Sequence, residues 1–159
     1  MSTYKGACNC GTITFTVSGD PIMNLFCHCR ACSRARGVSP SHLYAVPNEQ
    51  FSIDQGEEHL QVKNGMGRLV HAICIKCGCH IYQCPDGAKF RAVLPVNFHI
   101  ETPDSSNPCG VSCKLPKELL PTAHVNYENR LMDVEDDLPK YTAFSSSPRL
   151  NNDGSKYEG

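Results

Sequence analysis

Three short cysteine runs restrict this chain more than any other feature: CNCG at residues 8–11, CHCRAC at 27–32 and CIKCGC at 74–79. A tetrahedral metal such as zinc needs thiolate sulfurs about 2.3 Å from the ion, and so roughly 3.8 Å from one another. A Cys-x-x-Cys pair reaches that spacing by folding into a knuckle, where a following glycine, here Gly78, can take a positive φ. A Cys-x-Cys pair reaches it through a tighter bend. Either pair gives half a site, so halves distant in sequence must meet in space.

The chain has 159 residues and eleven cysteines, an odd number. A secreted disulfide scaffold is the competing explanation. The N-terminal MSTYKGACNC lacks the basic-then-apolar pattern of a signal peptide, and seven of the cysteines fall into tight clusters. Clustered thiols in a reducing compartment are metal ligands more often than disulfides. The expected location is therefore cytoplasmic. Hydrophobic residues make up 40% of the chain, which fits one domain with one core. A formal net charge of -1 gives no electrostatic case for nucleic acid or an anionic membrane surface. No apolar run approaches the roughly 20 residues that span a bilayer.

Residues 12–19 (TITFTVSG) alternate β-branched and aromatic side chains and end in a turn signal, which reads as a strand. Strands are also expected at 42–47 and 51–54, split by Pro47-Asn48. A hairpin is expected from 59–64 and 68–75 across Gly65 and Gly67, and another from 80–84 and 89–98 across PDGA. Only 113–120 suggests helix, one or two turns begun at Pro116. Residues 101–110 read as loop. The expected fold is a small all-β domain of antiparallel sheets with short helical turns, its thin core stapled by metal. The expected organisation is a zinc-binding domain over 1–144 and a polar C-terminal tail over 145–159.

Two groupings follow from the spacing. Cys8, Cys10, Cys74 and Cys77 make a closed four-thiolate site, structural because it leaves no position free for chemistry. Cys27, Cys29 and Cys32 then form a three-thiolate site whose fourth place falls to water, a substrate thiol or a side chain. His28 is one candidate for that place, although it sits between two ligands and would tend to point away. Cys79, Cys84, Cys109 and Cys113 can join either site or remain small buried residues or idle thiols.

The succession GACNCGTITFTV, CHCRACSRARG, CIKCGCHIY and AHVNYENRLMDVEDDLPKY resembles the glutathione-dependent formaldehyde-activating enzyme family, whose domain centromere protein V shares. The resemblance runs from about Gly6 to Phe144. It implies a zinc-binding β-tent, a structural zinc on Cys8, Cys10, Cys74 and Cys77, and a catalytic zinc on Cys27, Cys29 and Cys32.

A thiol bound to zinc is deprotonated, so glutathione or a similar thiol suits the open position. The expected function is a zinc-dependent carbon–sulfur lyase or thiol-adduct enzyme acting on a glutathione-type adduct of a small electrophile. Arg30 and Arg34, with Arg36, are candidates to hold glutathione carboxylates, a solvated basic patch being the plainer alternative. His28, His42, His71, His99 and His124 are acid–base candidates by type alone. Two other functions compete: a non-catalytic zinc-stapled binding module, and a Lewis-acid zinc enzyme that turns over a small metabolite without a thiol. The expected partner is a small molecule, with no nucleic acid and no membrane; a homodimer is an allowed assembly.

Overall fold

The computed structural model describes residues 2–99 and 114–159. The loop expected at 101–110, the start of the helical segment expected at 113–120, Cys109 and Cys113 lie outside the described residues. In chain order the strands are β1 (Thr3–Ala7), β2 (Thr14–Ser18), β3 (Met23–Cys27), β4 (Ser41–Pro47), β5 (Phe51–Gln55), β6 (Leu60–Asn64), β7 (Leu69–Cys74), β8 (His80–Pro85), β9 (Phe90–Val93), β10 (His124–Val125), β11 (Lys140–Tyr141) and β12 (Arg149–Leu150). The helix α1 (Arg30–Arg36) follows β3.

The expected all-β fold is present. One sheet has the order β1-β2-β5, and a larger one runs β12-β11-β10-β3-β4-β9-β8-β7-β6. Pairing is antiparallel except at β10, which lies parallel to both β3 and β11. Both expected hairpins form, β6–β7 across the Gly65–Gly67 turn and β8–β9 across Asp86-Gly87. The short helical turn expected after Pro116 is a single 3-10 turn, Lys117–Leu119.

β4 explains how one sheet serves both core and site. Leu43, Tyr44, Ala45 and Val46 are all buried, because both faces of this strand are covered. Tyr44 and Val46 face the main core with Phe15, Val17, Phe51, Ile81, Tyr82 and Phe98, against the smaller sheet. Leu43 and Ala45 face the opposite side with Leu25, Ala92, Leu94, Val125, Cys27 and Cys32. The second cysteine cluster therefore stands on a separate apolar layer.

α1 was not anticipated from the sequence. Its N-cap is Cys29, whose sulfur accepts a hydrogen bond from the Cys32 amide at 3.3 Å, where serine or aspartate is usual. It ends at Gly37, whose φ of 66° suits a residue with no Cβ. The C-terminal residues are attached to the body: β12 pairs with β11, and Arg130 donates to the Asp153 carbonyl at 2.8 Å. No helix among the described residues is long and apolar enough to cross a membrane.

Candidate metal centres and the cavity above one of them

Cys8 and Cys10 lie in the turn between β1 and β2, Cys74 ends β7, and Cys77 lies in the turn between β7 and β8. Their four sulfurs lie within 4.8 Å of one another. Cys8 and Cys10 sulfurs are 3.5 Å apart, and Cys10 and Cys74 are 3.9 Å apart. The knuckle closes where the Gly78 amide donates to the Cys74 carbonyl at 2.8 Å, with Gly78 at φ 76°. The Ile13 amide donates to Cys8 Sγ at 3.3 Å. The Thr12 hydroxyl and amide draw Cys10 down to about 6, whereas burial pushes Cys74 up to about 11. A cation here ties the smaller sheet to the larger one.

The second cluster is assembled from three local elements. Cys27 ends β3, Cys29 caps α1 and Cys32 lies in its first turn. The three sulfurs also lie within 4.8 Å of one another, with Cys27 and Cys32 3.9 Å apart. Cys27 and Cys32 hydrogen-bond Cys29 and hold it far below the usual thiol range. The same contacts, Cys29's first, push Cys27 up. Three crowded thiols thus favour at least one thiolate before any cation arrives.

Two amides aim at this cluster. Gln83 of β8 donates from Nε2 to Cys32 Sγ at 3.0 Å, and Asn126 donates from Nδ2 to Cys27 Sγ at 3.4 Å. Asn126 follows β10 directly with φ 53°, a left-handed conformation asparagine tolerates, and this turns its amide toward Cys27. Arg36 Nη1 donates to the Gln83 oxygen, fixing which end of that amide meets the sulfur. Burial lowers the Arg36 pKa, and the thiols Cys32, Cys27 and Cys29 oppose that shift. The donor set, soft sulfurs backed by oriented N–H groups, fits zinc. Both cysteine clusters are thus able to hold metal ions.

The other candidates are distributed around these clusters. The nine described cysteines are free, and Cys79 and Cys84 belong to neither cluster. His28 is buried and turns away from the sulfurs: its Nε2 lies 2.8 Å from His124 Nδ1, and His124 Nε2 lies 2.9 Å from Asp136. Burial lowers His28 to about 4. His42 bonds Asn24 Oδ1 at 2.7 Å. Arg30 and Arg34 are exposed on α1. Arg34 lines a depression of about 360 Å³ with Lys63, His71 and His80. Gln83, Asn126 and the Arg36 contact were not anticipated. The one available signal was a glutamine following Ile81 and Tyr82 within β8.

A cavity of about 660 Å³ opens above Cys27, Cys29 and Cys32. Leu25, Leu43, Leu69, Phe90, Ala92 and Val125 form much of its wall. It shares Ala31 and Met66 with the Arg34 depression.

The chain is similar to several known proteins. The model of the glutathione-dependent formaldehyde-activating enzyme family matches residues 3–111. A Fusarium vanettenii protein provisionally named for that activity is 26% identical over 84 residues, 52% of this chain and 45% of that protein. A Colletotrichum graminicola protein with the same provisional name is 25% identical over 80 residues, 50% of this chain and 42% of that protein. The matches therefore span less than half the length of either relative. A solved Rhodobacter sphaeroides protein is 18% identical with a TM-score of 0.48, over 62% of this chain and 91% of that one.

Proposed function

The chain belongs to the glutathione-dependent formaldehyde-activating enzyme family, and from that premise we propose that it is a carbon–sulfur lyase acting on thiol adducts of a small electrophile. The observation that carries this reading is the contrast between the two clusters. Four sulfurs close round the first site, whereas three sulfurs meet at the floor of a cavity in the second. Zinc held by Cys27, Cys29 and Cys32 would supply a centre that favours an incoming thiol in its deprotonated form. Cys8, Cys10, Cys74 and Cys77 would hold a second zinc whose role is structural.

In the cleavage direction, a thiohemiacetal loses its hydroxyl proton as its carbon–oxygen bond becomes double. The carbon–sulfur bond breaks, the pair goes to sulfur, and the proton ends on the departing thiol. Addition of a thiol to an aldehyde is the same step reversed. The chain's own residues prepare this. Gln83, held by Arg36, and Asn126 donate to Cys32 and Cys27 and spread the negative charge of the thiolates. The apolar wall keeps bulk water from the reacting carbon. The described lining residues include no histidine, carboxylate or ammonium; Ser145 and Ser146 are the hydroxyls among them. Arg34, with Lys63 beside it, would take a carboxylate of the thiol's body outside the cavity, and Arg30 stands exposed on the same helix.

The test is Cys29→Ser. It is expected to abolish turnover of S-hydroxymethylglutathione and longer S-(1-hydroxyalkyl)glutathiones while the far-UV circular dichroism spectrum stays that of the unaltered protein. Unfolding of the variant, or unchanged turnover, would overturn the catalytic assignment of the second cluster.

A further inference from the structure

The lining of the cavity above Cys27, Cys29 and Cys32 contains no lysine, arginine, histidine, aspartate or glutamate among the described residues. Residues 100–113, which are not described, include no lysine, arginine or histidine in their sequence and so can bring no basic side chain to it. The carboxylates of a peptide thiol therefore find no cationic side chain inside. The edge carries exposed apolar side chains beside Ser145 and Ser146: Ile22, Met66 and Phe144 line the cavity and are 53%, 49% and 69% exposed. Large apolar side chains left in water round one opening mark a surface that expects an apolar partner. The volume, about 660 Å³, is that of a site for a medium-sized molecule. A one-carbon aldehyde would leave most of it without contacts.

We infer that the electrophile this site handles carries an uncharged apolar chain or ring, which fills the cavity, while the charged body of the thiol stays outside near Arg34. The inference rests on the thiol-adduct reading for the identity of the reacting end. It departs from it in the substrate class: a long-chain or aromatic aldehyde, or a comparable activated alkene, in place of formaldehyde. Wall and mouth act together. Leu43, Leu69, Phe90 and Val125 bury the chain, and Phe144 covers the portion nearest solvent.

Two ligand series test this on the zinc-loaded protein by titration calorimetry. S-alkylglutathiones from methyl to hexyl keep the thiol body constant, and n-alkanols of the same lengths report the cavity alone. Affinity is expected to rise about three- to fourfold per methylene in both series, the gain for a fully buried methylene. Phe144→Ala, at an exposed position that tolerates truncation, is expected to weaken the hexyl ligand several-fold and leave the methyl ligand unchanged. A flat S-alkylglutathione series would overturn the inference and leave the thiol-adduct reading standing. A rising alkanol series with no S-alkylglutathione binding would uphold the apolar cavity and sink the glutathione reading. Two flat series would overturn the inference outright.

Discussion

Replacing Asp136 with asparagine removes the one carboxylate that, among the described residues, pairs with the buried Lys140 ammonium. The Lys140 side chain is 1% exposed; it also donates to the carbonyls of Asp136 at 3.3 Å and Leu138 at 3.0 Å and lies 5.7 Å from the centre of the Tyr127 ring. The same carboxylate accepts from the Leu138 amide and faces His124, which in turn meets His28 of the cysteine loop. Breaking a buried pair on one side costs about 3–5 kcal/mol. The Asp136 side chain is 32% exposed, so water repays part of the loss and about 2–3 kcal/mol is expected. For a chain of this size that lowers Tm by roughly 5–10 °C. The assay is thermal denaturation of the zinc-loaded protein at neutral pH, with Asp136→Asn, Lys140→Met and the double variant compared. The double variant is expected to recover about 1–2 kcal/mol relative to the sum of the singles. A loss below about 0.5 kcal/mol for Asp136→Asn, or strict additivity, would refute the view that this pair is what makes the buried lysine tolerable. The pair also sets an acid limit. Burial opposes ionisation of Asp136, yet Lys140 and His124 outweigh it and hold the carboxyl below its usual range. Its stabilisation is therefore complete above the ordinary carboxylate pKa and disappears as pH falls through the lower folded-state value.

Burial also lowers His42 to about 4, so the folded protein resists its protonation while the unfolded chain accepts it from about pH 6.5 downward. Stability is thus expected to fall between those values, and urea titrations of His42→Gln across that range should show a shallower decline than the unaltered protein; parallel curves would refute it. Gln83→Leu removes the donor to Cys32 and leaves Arg36 without its acceptor. Zinc affinity of the second cluster is expected to drop about 10- to 100-fold with the first cluster unaffected, measured by competition with a chromogenic chelator. Equal loss from both clusters, or none, would contradict that role.

What could be read from the sequence was local. Alternation exposed β2, and glycine-bearing turns exposed the two hairpins, because period and turn chemistry act over a few residues. The cysteine groupings were legible for the same reason: ligand spacing is a short-range constraint even when two halves meet from 64 residues apart. β1 is interrupted by Gly6 and a lysine, β10 to β12 are two residues each, and α1 is seven residues capped by a cysteine, so none carries a periodic signal. Gln83 and Asn126 were hidden because strand register and one left-handed turn, not sequence spacing, bring them to the sulfurs; Arg36, a candidate for a glutathione carboxylate, instead donates to Gln83. The same applies to the link from His28 through His124 to Asp136, which joins residues 96 and 12 positions apart.

The proposed chemistry requires one cation enclosed by protein sulfur and a second held on three sides beneath an apolar cavity. X-ray absorption at the zinc edge, with metal content measured on the same sample before and after adding a thiol, tests it most directly. Two zinc ions per chain are predicted, with average sulfur coordination rising from about 3.5 to 4 as the thiol takes the remaining position. One zinc per chain, or a first shell that the thiol leaves unchanged, would contradict it.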